Sequence, residues 1–172
     1  PQPGRFVFDL GQNMVGWARI EIPVEKDKTV TLRFAEMLKD DGTLYTENYR
    51  SAKSTDTYTA AADGTIRWEP SFTFHGFRYV ELTGLPAAAE PRKEWVTGVV
   101  LHSDLPVTGG FTSSHEKLNQ LQSNILWGWR GNSVDIPTDC PQRDERMGWT
   151  GDAQAFCATA MFNTGAHAFW KS

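Results

Sequence analysis

Near residue 104 the spacing of apolar residues changes from every second position to every third or fourth, so the chain cannot be one kind of layer throughout. Before that point, alternation marks short strands. Arg5–Leu10 alternates around Phe6 and Phe8. Trp17–Val24 sets Ala18, Ile20 and Ile22 against Trp17, Arg19 and Glu21, and Val30–Phe34 sets Val30, Leu32 and Phe34 against Thr31 and Arg33. Asp56–Thr59, Ile66–Trp68, Phe77–Leu82 and Trp95–Leu101 continue the series. Turn signals fall between them at Asp9-Leu10-Gly11, Asp40-Asp41-Gly42, Asp63-Gly64 and Thr83-Gly84. About seven short strands at such spacing predict a β-sandwich or jelly roll.

After residue 104 the pattern is helical. Ser113 or Ser114 is placed to cap a helix over 114–132 whose inner face carries Leu118, Leu121, Ile125 and Trp129. Ala153, Phe156, Cys157, Ala160 and Met161 predict a second amphipathic helix over 151–162, with Thr150 or Asp152 in its N-cap region. A third helix is expected after Asn163-Thr164-Gly165, with Phe169 and Trp170 on its buried side. The chain therefore reads as α+β by segments, with a β-sandwich domain at 1–103 and a helical part at 104–172.

Composition narrows the function classes. The net charge is −4 with Lys and Arg dispersed, which lacks the basic stripe that nucleic-acid binding needs. No apolar run approaches the ~20 residues of a membrane-spanning helix, and no basic-then-apolar stretch of the secretory type opens the sequence. Cys140 and Cys157 cannot make a disulfide framework and lean toward a reducing, cytoplasmic setting. Seven Trp among 172 residues suit either core packing or stacking on sugar faces.

The chemistry concentrates in Asp135–Asp152, where five carboxylates and two arginines fall within eighteen residues. Pro141, Gly148 and Gly151 favour a fixed backbone there. One reading is an Arg–carboxylate network that caps two helices. The other is a pocket at a helix N-terminus, where burial beside Trp149 and a neighbouring carboxylate keeps one carboxyl group protonated while Arg143 or Arg146 keeps the others charged. That division suits acid–base work on a glycosidic bond. Two arginines work against a cation site, so no metal is expected. No spacing supports Cys140 with His75, His102 or His115 as a nucleophile pair. Cys157 reads as core, His75 as a satisfied structural histidine and His167 as surface.

The unbroken run Asp139-Cys-Pro-Gln-Arg-Asp-Glu-Arg-Met-Gly-Trp-Thr-Gly-Asp152 resembles the signature of bacterial α-L-rhamnosidases of glycoside hydrolase family 78. Phe8–Gly16, Ala35–Leu38 with Asp41–Tyr45, and Phe74–Tyr79 are similar to that family's concanavalin-like, jelly-roll-like β-sandwich ahead of the catalytic (α/α)6 barrel. The resemblance covers essentially the whole chain. It implies hydrolysis of terminal α-L-rhamnosides with inversion and without a cofactor. By position it implies Glu145 as general acid and Asp139, Arg143, Trp149 and Asp152 as residues lining the rhamnose site.

Twelve barrel helices need on the order of 200 residues, more than 104–172 offers. The expectation is an internal fragment holding the sandwich and the first barrel helices, inactive alone, with the general base outside it. Helices without partners would expose Leu121, Ile125, Phe156, Met161, Phe169 and Trp170 and favour self-association. The rival readings are a non-catalytic carbohydrate-binding sandwich with Trp17, Trp68 and Trp95 as its platform, and a purely structural module in which the acidic loop is a cap network.

Overall fold

The computed structural model describes residues 3–171. They form two compact units: the chain up to Val100 together with Gln142–Asp144, and Leu101–Pro141 together with Glu145 onward.

In the first unit the strands are β1 (Arg5–Val24), β2 (Thr29–Ala35), β3 (Met37–Leu38), β4 (Leu44–Tyr45), β5 (Thr55–Thr59), β6 (Gly64–Trp68), β7 (His75–Thr83) and β8 (Val96–Val100). Six of them join in the order β5-β2-β7-β1-β6, with β8 also on β1, while β3 and β4 make a separate hairpin. All these pairings are antiparallel. β1 connects the sheet because different stretches of it serve different partners: Arg5–Gly16 pairs β7, Gly16–Ile20 pairs β8 and Ile20–Val24 pairs β6.

The two strands expected at Arg5–Leu10 and Trp17–Val24 are therefore one strand of 20 residues. The turn signal between them is spent on a bulge. Asp9 Oδ1 accepts the Gly11 N–H at 2.8 Å, as in a turn, and Gly11 takes φ 79°. The Asp9 carboxylate also receives both arms of Arg78 on β7, at 2.7 and 2.8 Å. That grip keeps the chain beside β7, and the register shifts between Asp9 and Met14. The Asp40-Asp41-Gly42 signal does close a hairpin, between two-residue strands too short for periodicity to mark.

Alternation places the core as the sequence predicts. Ala18, Ile20, Ile22, Val30, Leu32, Phe34, Phe77, Val80 and Leu82 are fully buried. Phe34 meets Phe77 edge-on at 4.7 Å and stacks on His75 at 4.3 Å. His75 is structural, as expected, but only half satisfied. Its Nε2 pairs with Asp56 Oδ1 at 3.0 Å, while Nδ1 is buried without a partner. Glu81 is also buried, and Arg5 and Arg33 reach it at 3.5 and 3.3 Å from adjacent strands.

In the second unit, α1 (Glu116–Gly131) and α2 (Thr150–Asn163) are the helices among the described residues, and neither is long and apolar enough to cross a membrane. The α1 N-cap is His115 rather than a serine; Ser113 Oγ instead accepts the His115 N–H at 3.1 Å. The expected inner face of α1 is buried only at its C-terminal end. Trp129 is 5% exposed, whereas Leu118 and Leu121 are 44% and 53% exposed. Phe156, Phe169 and Trp170 are not left bare: they pack with Leu105 against Trp129, Ala160 and Ala166. Trp129 Nε1–H reaches Thr164 Oγ1 at 3.0 Å, and that hydroxyl donates to the Ala160 carbonyl.

The third helix is a single turn. Thr164 is extended, and the Asn163 carbonyl accepts the N–H groups of Thr108 and Gly109. The chain then makes one helical hydrogen bond, Trp170 N–H to the Ala166 carbonyl, before the described residues end.

Two glycines separate backbone strain from crowding. Gly42 and Gly84 have φ 79° and 83°; a Cβ on Gly42 meets nothing within 4 Å, but one on Gly84 would lie 2.1 Å from the Thr29 carbonyl oxygen. Gly42→Ala should cost about 1–3 kcal/mol from φ strain alone. Gly84→Ala should cost clearly more, because backbone on β2 must also move. Urea midpoints of the two variants check this, and equal losses would contradict it.

Candidate active site

The loop between the helices is built from small hydrogen-bonded closures. Strands β9 (Ser133–Val134) and β10 (Ile136–Pro137) pair across Asp135, which takes φ 67°. The Asp135 N–H donates to Ser103 Oγ at 3.0 Å. Asp135 is thus a turn residue, as a short polar side chain in a left-handed position often is. Thr138 and Gly148 form an isolated antiparallel bridge, so 138–148 returns on itself. Asp139 N–H donates to the Met147 carbonyl at 3.1 Å, and the Met147 N–H donates back to Asp139 Oδ1 at 2.9 Å. Arg146 turns the backbone at φ 54°, and partial burial lowers its pKa from the usual arginine value.

This folding brings some of the expected site residues together. Single donor atoms of Asp139, Cys140 and Glu145 all lie within 4.8 Å of one another, and all three residues are half-buried. They are the candidate metal ligands among the described residues. Their donors mix one thiol with two carboxylates, and Asp139 Oδ1 already serves Met147. Asp139 and Asp152 line one cleft of about 460 Å³, whose walls are mainly Ile125, Trp129, Phe156 and Trp170. Asp152 sits in the first turn of α2, where the helix dipole favours a carboxylate.

Others are placed apart. Trp149 is the N-cap residue of α2, is 53% exposed and does not line that cleft. Arg143 belongs with Gln142 and Asp144 to the β unit. In that unit the Asp144 carboxylate accepts the Ser51 hydroxyl and, at 3.4 Å, the Ser51 N–H, and the hydroxyl bond is the main cause of its lowered pKa.

The sequence reading does not find Asn132 and Thr138, which also line the cleft. Asn132 caps α1, donating from Nδ2 to the Gly128 carbonyl at 2.8 Å, and its Oδ1 is buried without a partner. The signal was an Asn just past the last periodic residue of a helix. Of the tryptophans proposed as a sugar platform, Trp17 donates its indole N–H to Glu69 at 2.8 Å and Trp68 packs on Tyr58 at 5.4 Å. Trp95 alone of the three lines a groove, of about 700 Å³, with Glu21, Arg92 and Glu94.

With the β unit, the helical unit and the acidic loop described, the comparisons give the family. Residues 1–102 match the bacterial alpha-L-rhamnosidase concanavalin-like domain, and residues 106–172 match the bacterial alpha-L-rhamnosidase 6 hairpin glycosidase domain. The chain belongs to the bacterial α-L-rhamnosidase family. An α-L-rhamnosidase of Formosa agariphila is 64% identical over 166 residues, covering 96% of this chain and 18% of that protein. The structure of the Streptomyces avermitilis α-L-rhamnosidase complexed with L-rhamnose superposes with a TM-score of 0.95 at 51% identity, covering 99% of this chain and 16% of that one. The enzyme of Dictyoglumus thermophilum gives 0.94 at 44% identity, covering 99% and 19%. The chain thus spans less than a fifth of the length of these relatives.

The Asp139 side chain has a local structural task that a test can isolate. Asp139→Asn keeps an acceptor for the Met147 N–H, whereas Asp139→Ala removes it. The alanine variant should lose about 0.5–1.5 kcal/mol more stability than the asparagine variant. Denaturant midpoints of both measure the difference, and coincident midpoints would deny the side chain that role.

Proposed function

We propose that this chain carries the acid side of the active site of an α-L-rhamnosidase, which hydrolyses terminal α-L-rhamnosides with inversion. The observation that carries the reading is the pairing of Glu145 with Asp139 within 4.8 Å, in a loop whose Asp139 and Asp152 line a cleft. Glu145 is the general acid and protonates the departing glycosidic oxygen. Asp139 and Asp152 accept hydrogen bonds from rhamnose hydroxyls, and Arg143 and Trp149 complete the sugar contacts. The L-rhamnose held by the Streptomyces avermitilis relative supports this choice of sugar. No cofactor takes part.

Inversion needs a second carboxyl group roughly 6.5–9.5 Å from the acid, so that a water molecule fits between sugar and base. Asp139 is too close to Glu145 for that task. As the family resemblance implies, the base is assigned to a residue outside these 172 positions, and residues 1–172 alone are expected to hydrolyse no rhamnoside. The exposed Leu118, Leu121, Met161 and Phe162 give the isolated chain an apolar surface through which it self-associates. Light scattering at rising concentration should show species larger than 19.3 kDa, and a monomer throughout would refute that part.

The alternative is a non-catalytic carbohydrate-binding β module, favoured by the Trp95 groove. It predicts that sugar affinity follows Trp95 and ignores Glu145.

The test is leaving-group dependence in the full-length enzyme. Glu145→Gln cannot donate a proton and should lower kcat/KM for natural disaccharides by about 10²–10⁴-fold. Nitrophenyl rhamnosides, whose leaving groups need little protonation, should lose much less. Asp152→Asn should weaken both substrate classes alike, since a lost charge-assisted hydrogen bond to a hydroxyl is worth roughly 1.5–3 kcal/mol whatever the leaving group. If Glu145→Gln slows both classes by one factor, Glu145 is not the acid.

A further inference from the structure

The ends of the acidic loop and its apex are held by different means. At the ends, the Thr138–Gly148 bridge and the paired hydrogen bonds of Asp139 and Met147 close the loop within the helical unit. At the apex, Gln142–Asp144 are packed into the β unit.

Three contacts make that packing. Gly76, at the start of β7, leaves no room for a side chain: a Cβ there would lie 2.7 Å from Gln142 Cβ and 3.1 Å from Gln142 Cα. The clash is with the root of the residue rather than the end of a flexible chain, so it could be relieved only by moving the Gln142 backbone. Tyr49 donates its buried hydroxyl to the Gly76 carbonyl at 2.7 Å, and burial drives the pKa of that phenol upward. Two residues on, Ser51 donates its hydroxyl and its N–H to the Asp144 carboxylate. Between them Arg50 holds φ 55°, a conformation that costs energy in a non-glycine residue.

We propose that Ser51 and Gly76, with Tyr49 tying them together, are positioning residues for the reaction: they hold Gln142–Asp144 and so fix the peptide that leads directly into Glu145. The inference rests on the reading of Glu145 as the general acid. A proton donor must meet the glycosidic oxygen within hydrogen-bond reach, and a misplacement of about 1 Å can cost on the order of 10²-fold in rate. A loop apex closed only at its ends would not hold such a group to that tolerance.

The experiment uses the full-length enzyme and its Gly76→Ala, Ser51→Ala, Ser51→Thr and Glu145→Gln variants. Each is assayed on a natural rhamnosyl disaccharide and on a nitrophenyl rhamnoside, with inhibition by L-rhamnose as the readout of sugar binding. Gly76→Ala should lower kcat on the disaccharide by about 10–100-fold and on the nitrophenyl substrate far less; because Arg143 lies in the displaced segment, L-rhamnose inhibition weakens as well, by the same factor whichever substrate is assayed. Ser51→Ala should show the same selectivity at smaller size, and Ser51→Thr, which keeps the hydroxyl, should restore most of the loss. Should Gly76→Ala fail to fold, the exposed Ser51 pair decides alone. If Glu145→Gln discriminates between the substrates while the Ser51 and Gly76 variants slow both alike or neither, the positioning role is overturned and the acid assignment stands. If Glu145→Gln itself does not discriminate, the acid assignment falls and this inference with it.

Discussion

The β unit depends on one strand that is not allowed to turn. Asp9, Leu10 and Gly11 carry the chemistry of a tight turn, and Asp9 makes the local hydrogen bond that such a turn would use. The two-pronged contact with Arg78 outweighs it by tying the same carboxylate to the neighbouring strand. Neither Asp9 nor Arg78 is buried, so the pair adds little stability of its own. Its effect is geometric. With β1 continuous, Ile20 pairs with both Trp68 and Val96, and β6, β7 and β8 share one template. A reversal at Gly11 would have separated the Arg5–Asp9 pairing with β7 from the β8 and β6 pairings at Gly16–Val24.

The same template fixes the surface that receives the loop apex. Gly76 pairs with Val15 and His75 with Gly16 just past the bulge, where β1 turns fully buried at Met14–Gly16. His75 is held there by Phe34 beneath it and Asp56 beside it. The close approach of Gln142 to Gly76 is therefore made against a part of the sheet with little freedom to yield. A positioning surface needs that stiffness, because interiors packed this densely transmit displacement rather than absorb it.

Most of the fold was legible because it is periodic. Alternation gave β2, β5, β6, β7 and β8 to within two residues at each end, and three-to-four spacing gave α1 and α2. The departures come from tertiary placement, which a local signal does not carry. Arg78 overrode the turn at Gly11. The end of α2 at Asn163 agrees with the expected bound, and there the Asn163 carbonyl accepts the N–H groups of Thr108 and Gly109. Leu118 and Leu121 keep a helical stripe, but no described element covers it. In the candidate site, the motif from Asp139 to Asp152 marks the stretch in which Asp139, Cys140 and Glu145 come together. It could not show that Asp135 serves a turn or that Asp144 is spoken for by Ser51, 93 residues earlier. Contacts at that separation leave no trace in spacing.

What the loop achieves is a sorting of carboxylates that composition alone leaves equivalent. Asp135 is committed to a backbone turn, Asp144 to the serine hydroxyl that lowers its pKa, and one Asp139 oxygen to the Met147 N–H. A carboxylate that accepts such hydrogen bonds is favoured in its charged form. Asp144 therefore stays ionised to lower pH than an ordinary aspartate and is a poor place for a transferable proton. Part of the acidic cluster is thus taken up by structural hydrogen bonds. Glu145 differs from those carboxylates in its surroundings: it brings a carboxylate oxygen within 4.8 Å of donor atoms of Asp139 and Cys140. The carboxylates of the loop are thus told apart by what holds each of them, a distinction that spacing along the chain does not record.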